Sequence, residues 1–274
     1  MLRPFVSDVS ALVLPLGLGS LAFVVGRLLH RLPKSVRVGL LVIAGAVIVG
    51  GAASLAGLLP DRVDQAAAAV GGATVVLCWA ALLLIGVAWS APKRAFSRGF
   101  LSCIVAVAGF LILAEGGSRL WWRFAAPELW RNAPDSHGCL RQTSGLTCAP
   151  AAAAMFLHCH GIPASEGEMA YLAGTSLFGS DAWQTAAALD QKVRPSGRRA
   201  VILRSGYDEC VERAEPFIGH VRGPSGGHAV LVKAVSPYGA EVVDPVEGFP
   251  KRLPRADFEA VWDGTVVAVV PAAD

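Results

Sequence analysis

The sequence predicts a bundle of four membrane-spanning α-helices followed by an α+β domain. Hydrophobic residues make up 54% of the chain and charged residues only 16%, whereas soluble domains contain about 25% charged residues. The apolar residues are concentrated in residues 1–116, and residues 117–274 have the composition of an ordinary soluble domain. The net charge of +3 is too small to indicate a nucleic-acid partner.

Four apolar blocks predict the spans, at about residues 9–29, 38–59, 66–89 and 99–115. The first three have the roughly 20 residues that a helix needs to cross the hydrocarbon core, and the fourth is shorter. The first block has no small-residue cleavage site before Arg27, so we expect it to be retained rather than removed as a signal peptide. Buried core helices of a soluble protein are the alternative interpretation of these blocks.

The orientation of the spans follows from the connections, because cytoplasmic loops of membrane proteins are enriched in Lys and Arg. The connections after the first and third blocks are the basic ones, and they contain Arg27, Arg31, Lys34 and Arg37, and Lys93, Arg94 and Arg98. Both are therefore placed in the cytoplasm. This arrangement predicts a multi-pass protein of the plasma (inner) membrane, with residues 117–274 on the extracytoplasmic side.

Residues 117–136 are predicted to form a linker at the membrane interface. Trp121, Trp122 and Trp130 suit an amphipathic segment in contact with the lipid bilayer. The spans contain no carboxylate pair or histidine cluster of the kind that transporters and intramembrane proteases need. We therefore expect the membrane half to anchor the soluble domain or to dock on a membrane export partner.

Residues 137–274 are predicted to form helices first and an antiparallel sheet afterwards. Capping residues and glycine stops delimit helices at about 151–159, 165–172 and 182–191. Short β-prone runs follow at 201–204, 217–221, 228–235, 240–243 and 265–270, with one more helix at 255–262. This order indicates an α+β domain in which the early helices face the later sheet across a cleft.

Cys148 is the candidate nucleophile of this domain. It stands at the start of a helix-forming run, Ala149-Pro150 followed by four alanines, and a helix N-terminus favours the thiolate over the thiol. Gln142 lies six residues upstream. Its side-chain amide is a candidate donor to the oxyanion that forms when a thiolate attacks a carbonyl.

His228 and Asp244 complete the candidate catalytic set. His228 follows Gly226-Gly227 at the start of a predicted strand, and Asp244 ends the next one. Because the two strands are joined by a tight turn, we expect the two side chains to lie side by side. His228 would then accept the thiol proton of Cys148, and Asp244 would hold the imidazole in the working tautomer.

These motifs resemble the bacteriocin-processing, double-glycine-leader cysteine peptidases. The resemblance rests on Gln142 and Cys148, on Gly227-His228 before an apolar strand, and on Asp244-Pro245. It covers about residues 137–270 and implies a papain-like fold, with Cys148 as nucleophile, His228 as general base and acid, Asp244 as orienting carboxylate and Gln142 as oxyanion donor. The chain has Thr147-Cys148-Ala149 where the family usually has Asp-Cys-Gly. Its spans also precede the domain, whereas those of the transporter members follow it.

The predicted function is that of a membrane-anchored cysteine peptidase that cleaves a leader or sorting segment of an exported protein near the membrane. A transpeptidase with the same triad and thioester intermediate is one alternative. A non-catalytic module that only binds a peptide is another. Neither peptide hydrolysis nor transpeptidation through a thioester needs a cofactor, so no cofactor is expected.

For the remaining cysteines and histidines the sequence supports weaker predictions, about metal binding and disulfide formation. His158-Cys159-His160 is not expected to bind a metal, because consecutive helix residues do not share a face and no second ligand cluster follows. In an oxidising compartment one disulfide is expected among Cys139, Cys159 and Cys210, with its pairing open.

Overall fold

The chain divides into two units, Met1–Leu120 and Trp121–Asp274. The computed structural model describes residues 17–28, 78–83, 104–110, 121–124, 127–176, 178–223 and 226–272, with the isolated positions 33, 36, 102, 113 and 117.

In the first unit the described segments 17–28, 78–83 and 104–110 are helical. They fall within the first, third and fourth predicted spans. Cys78, Leu82 and Ala108 form a small buried cluster. Within the described part of this unit, no helix has both the length and the apolar character needed to cross a membrane. The second block, 38–59, and most of the other three lie outside the described residues, so the four-span bundle stays a prediction.

The second unit begins with its helices. They are α1 (Pro127–Arg131), α2 (Cys148–Cys159), α3 (Glu166–Ala173) and α4 (Ala182–Val193), and a 3₁₀ turn follows at Arg194–Ser196. α3 and α4 begin with side-chain caps, as the sequence predicts. The Ser165 hydroxyl accepts the Glu168 N–H at the start of α3, and Gly174 ends that helix in the left-handed conformation, at φ 62°. Asp181 and Gln184 form a capping box at the start of α4.

The remaining elements form one antiparallel sheet with two short helices. The strands are β1 (Arg198–Arg204), β2 (Phe217–Gly223), β3 (Gly226–Ser236), β4 (Gly239–Val243), β5 (Pro250–Pro254) and β6 (Trp262–Pro271), in the order β1-β6-β2-β3-β4-β5. The helices are α5 (Tyr207–Arg213) and α6 (Arg255–Val261). The predicted α+β class is confirmed for this half of the chain. β5 and α5 have no counterpart in the sequence prediction.

The sheet is covered on both faces. One face, with Ile218, Leu231 and Val267, packs in the same buried cluster as α2, α3 and α4. The other face packs against Tyr207 of α5 and Phe258 of α6. This arrangement explains why α2 is apolar on all sides: residues 149–157 are all buried. It also brings the first residue of α2, Cys148, towards β3.

Within the predicted interfacial linker, 117–136, the described residues 121–124 and 127–136 belong to the second unit and pack on it. The buried indole of Trp122 donates a hydrogen bond to the Thr175 carbonyl at 2.6 Å, and Trp130 donates to the Trp122 carbonyl at 3.0 Å. α1 lies so close to α3 that a Cβ at Gly167 would come within 2.8 Å of the Leu129 carbonyl carbon. Glycine at position 167 therefore permits the close approach of the two helices.

Candidate active site

Cys148 is the first residue of α2 and is half-buried. The residue before it, Thr147, makes no side-chain capping bond; its hydroxyl donates instead to the Ser144 carbonyl at 2.8 Å. The N–H groups of the first turn have no intrahelical acceptors. The start of α2 can therefore stabilise negative charge, whether on the Cys148 sulfur or on an oxygen beside it.

His228 and Asp244 are brought together by the β3–β4 hairpin. Leu231 of β3 pairs with Val243, the last residue of β4, and Asp244 follows directly. The His228 Nε2 atom lies 2.8 Å from Asp244 Oδ1, with side-chain exposures of 17% and 35%. The Val246 N–H also donates to Oδ1, at 2.8 Å. The carboxylate is thus fixed by backbone and imidazole together, which fixes the orientation of the ring.

Cys148 and His228 form the second contact of the set. Since Nε2 is engaged by Asp244, Nδ1 is the ring nitrogen left for the thiol. Burial raises the pKa of Cys148, but the hydrogen bond to His228 and the backbone N–H groups of Ala229 and Ala149 outweigh it, so that the net pKa is lowered.

The pKa of His228 changes in the opposite direction. Its hydrogen bond to Asp244, followed by that to Cys148, raises the pKa of the imidazole to about 9. Burial raises the pKa of Asp244. Its bonds to His228 and to the Val246 N–H lower the pKa by more than burial raises it, so the net pKa is below the usual value. A lowered thiol pKa and a raised imidazole pKa both favour the thiolate–imidazolium pair near neutral pH.

Gln142 lies in the loop that leads to α2. Its backbone N–H donates to the Pro245 carbonyl at 2.7 Å, which ties the loop to the residue after Asp244. Its side-chain Nε2 donates to the Ser144 carbonyl at 2.7 Å, and a primary amide has a second N–H to offer. The Oε1 atom is buried and has no partner among the described residues.

The expected disulfide is not present, since Cys139, Cys159 and Cys210 are all free thiols. The fold explains why Cys210 does not pair with either of the other two cysteines. Cys210 is buried on the α5 side of the sheet, whereas Cys139 is buried on the α2 side and Cys159 ends α2. The described residues contain no group of three or more His, Cys, Asp or Glu side chains able to hold a metal ion. His160 packs edge-on against Phe156.

Two buried polar groups near the site had no functional role in the sequence analysis. Glu166 is fully buried and accepts hydrogen bonds from the Gln142 loop. The sequence indicated only that it begins a helix. His220 lies opposite Ala229, the residue after His228, and its buried Nε2 has no partner among the described residues. Burial, as the largest cause, lowers the pKa of His220. The bonds of Glu166 have no local sequence signal, because Thr143 lies 23 residues away along the chain.

Residues 137–274 match the sequence model of the peptidase C39 family. An uncharacterized protein of Methanothermobacter marburgensis is 31% identical over 130 residues, which are 47% of this chain and 86% of that protein.

Two solved structures are also similar. One is the peptidase domain of Streptococcus ComA, a bifunctional ABC transporter involved in quorum sensing, with 20% identity, a TM-score of 0.43 and coverage of 48% of this chain and 97% of that one. The other is a double glycine motif protease from an AMS/PCAT transporter in complex with the leader peptide, with 24% identity, a TM-score of 0.41 and coverage of 48% and 90%.

Proposed function

The chain belongs to the peptidase C39 family of cysteine peptidases, and we propose that it cleaves a leader or sorting segment of an exported protein close to the membrane. Cys148, His228 and Asp244 are its catalytic triad, and Gln142 is its oxyanion donor. One observation carries this assignment: the imidazole of His228 is hydrogen-bonded to Asp244 at 2.8 Å, and the interaction of the same ring with Cys148 lowers the pKa of the thiol. That is the arrangement of nucleophile, base and orienting group that covalent catalysis needs.

The reaction begins with the thiolate–imidazolium pair. Cys148 Sγ attacks the scissile carbonyl carbon, and the electron pair of the C=O bond moves to oxygen. The free N–H of the Gln142 amide and the backbone N–H of Cys148 stabilise this oxyanion. When the tetrahedral intermediate collapses, the C–N bond breaks and His228 donates its proton to the leaving amine. The product is a thioester on Cys148.

Hydrolysis of the thioester restores the enzyme. His228, now neutral, takes a proton from a water molecule that attacks the thioester carbonyl. The same donors stabilise the second oxyanion, the C–S bond breaks, and the carboxylic acid leaves. Asp244 stays ionised throughout and holds the ring, which fits the lowered pKa of this carboxyl.

The substrate class follows from the family and from the apolar half of the chain. Members of the family cleave double-glycine leader peptides. The four apolar blocks before the domain would anchor the enzyme in the plasma membrane, with the domain on the extracytoplasmic side. Anchoring raises the effective concentration of any substrate that is itself held at the membrane. A membrane-bound precursor or an export partner would therefore be the natural source of the peptide.

Processing of a co-expressed precursor in cells tests this proposal. Cys148→Ala should leave the precursor uncleaved at unchanged expression. Cys159→Ala is the matched control, because it removes an exposed thiol from the other end of the same helix. Mass spectrometry of the products separates addition of water from transfer to an amine. Processing that continues in Cys148→Ala would contradict the proposal.

The extracytoplasmic location has its own test. Cys159 is the exposed thiol of the second unit, so a membrane-impermeant maleimide added to intact cells should label it. Labelling that appears only after the membrane is opened would place the domain in the cytoplasm.

A further inference from the structure

A buried carboxylate holds the loop that carries Gln142. Glu166 is the first residue of α3 and is fully buried. Its Oε1 atom accepts two hydrogen bonds from Thr143, one from the backbone N–H at 2.9 Å and one from the hydroxyl at 3.0 Å. Its Oε2 atom accepts a third from Asn132 Nδ2. A buried carboxylate is tolerated only when its acceptor sites are occupied in this way.

Asn132 completes the network from the segment before the loop. Its Nδ2 also donates to the Arg141 carbonyl at 3.0 Å. Its own carbonyl accepts the Glu166 N–H at 2.8 Å. The residues on both sides of Gln142, Arg141 and Thr143, are therefore held by Asn132 and Glu166.

The same loop is fastened to the turn that follows Asp244. The Gln142 N–H bonds to the Pro245 carbonyl, and Arg141 Nε donates to the Val246 carbonyl at 3.2 Å. Gly248 has a φ of +76°, and a Cβ there would lie 2.7 Å from the Arg141 Cβ. The loop thus lies between the Asn132–Glu166 pair on one side and the Asp244 turn on the other.

From these contacts we propose that Glu166, assisted by Asn132, is a positioning residue for the oxyanion donor Gln142. The inference rests on the proposed function, in which Gln142 stabilises the oxyanion. Glu166 does not touch the reacting atoms; it acts through Thr143, the residue after Gln142. Asn132 lies outside the residues matched by the family model, 137–274. The segment before residue 137 is therefore part of the functional unit.

Point variants of the full chain test this role. Glu166→Gln keeps the size of the side chain but places an amide NH₂ against a donor, either the Thr143 N–H or Asn132 Nδ2. Asn132→Ala removes the partner of Glu166 Oε2 and of the Arg141 carbonyl. Glu168→Gln is the matched control, because it makes the same substitution on the same helix at a carboxylate that pairs with Lys192 at 2.7 Å.

The kinetic readout is kcat per active site, with active sites counted by alkylation of Cys148. A displaced oxyanion donor should lower kcat per site roughly ten- to a hundredfold in Glu166→Gln, with KM near that of the wild type. The pH profile of Cys148 alkylation should not change, since the triad contacts are intact. A purely structural role would reduce the number of active sites and leave kcat per site unchanged.

Asn132→Ala should also lower kcat per site, and the loss in the double variant should be smaller than the two single losses combined, because Asn132 and Glu166 are bonded to each other and hold the same loop. If Glu166→Gln yields little folded protein, Asn132→Ala carries the kinetic test. Unchanged kcat per site in both variants, or an equal loss in Glu168→Gln, would overturn the proposal.

Hydrogen exchange gives a second readout that does not depend on activity. The Thr143 amide should exchange roughly tenfold faster in Glu166→Gln than in the wild type, because its charged acceptor is lost. Glu168→Gln should exchange like the wild type. If the wild type cleaves no peptide, the proposed function fails, yet exchange still decides whether Glu166 holds the loop. Equal exchange at Thr143 in all three proteins would refute the positioning role.

Discussion

The Nε2 atom of His228 lies 2.8 Å from Oδ1 of Asp244, which leaves Nδ1 for the thiol of Cys148. This one contact affects both partners of the proposed reaction. It is the largest of the causes that raise the pKa of the imidazole to about 9, and it thereby keeps the ring charged near neutral pH. The charged ring in turn lowers the pKa of the Cys148 thiol. The pH dependence of cleavage should therefore report on both groups.

We expect a bell-shaped dependence of kcat/KM on pH. On the acid side, activity falls as Cys148 takes up a proton, at a pH below the ordinary thiol pKa. On the alkaline side, activity falls at about pH 9, where His228 loses the proton that it must donate to the leaving amine. Initial rates from pH 4 to 10 measure both limbs. An alkaline limb near the ordinary histidine pKa would show that Asp244 does not support the imidazolium.

Asp244→Asn should move the alkaline limb to lower pH, because the Asp244 bond is the largest cause of the raised His228 pKa. We expect kcat/KM to fall roughly a hundredfold or more, by analogy with removal of the orienting carboxylate from other triads. Asp208→Asn is the control. It makes the same change at an exposed carboxylate on α5, which pairs with Arg255, and should leave the pH profile unchanged.

Gln142→Ala should lower kcat by roughly 10²- to 10³-fold with little change in KM, as expected when one oxyanion donor is lost. The pH limbs should stay in place, because Gln142 is not a cause of either shifted pKa. Gln191→Ala is the matched control, since that amide donates an exposed bond to the Ala187 carbonyl on its own helix. A change confined to KM would assign Gln142 to substrate binding instead.

Trp122→Phe should destabilise the second unit by about 1–3 kcal/mol, because the buried Thr175 carbonyl loses its donor. The buried thiol of Cys210 reports on this unit within the full chain. Its reaction with a thiol reagent should begin at a lower temperature in the variant. Trp121→Phe is the control, since Trp121 is 70% exposed. Equal behaviour of the two variants would mean that the Trp122 bond does not stabilise the unit.

The predicted elements of the second unit were those with strong local signals. Capping residues marked α3 and α4, and β-branched runs marked the central strands. The tight turn after Ser236 made the approach of His228 to Asp244 predictable. β5 was missed because it is an exposed edge strand with a proline at each end, Pro250 and Pro254. α5 was missed because it is short and rich in charged residues.

Long-range contacts explain the remaining differences. Glu166 has the local signal of a capped helix start, and its bonds to Thr143, 23 residues away, exist only in the folded domain. The expected disulfide is the opposite case, in which the sequence gives a signal for a contact that the fold does not form. The cysteine count allowed one, but the sheet separates buried Cys210 from buried Cys139.

The most direct test of the account is to identify the residue that a peptide-based electrophile modifies. A leader-like peptide ending in a vinyl sulfone, incubated with the full chain, should form one adduct that mass spectrometry maps to Cys148. Its rate should follow the acid limb of cleavage, and Cys148→Ala should form no adduct. An adduct on Cys159, or a folded protein whose Cys148 stays unmodified while cleavage proceeds, would contradict the assignment of Cys148 as the nucleophile.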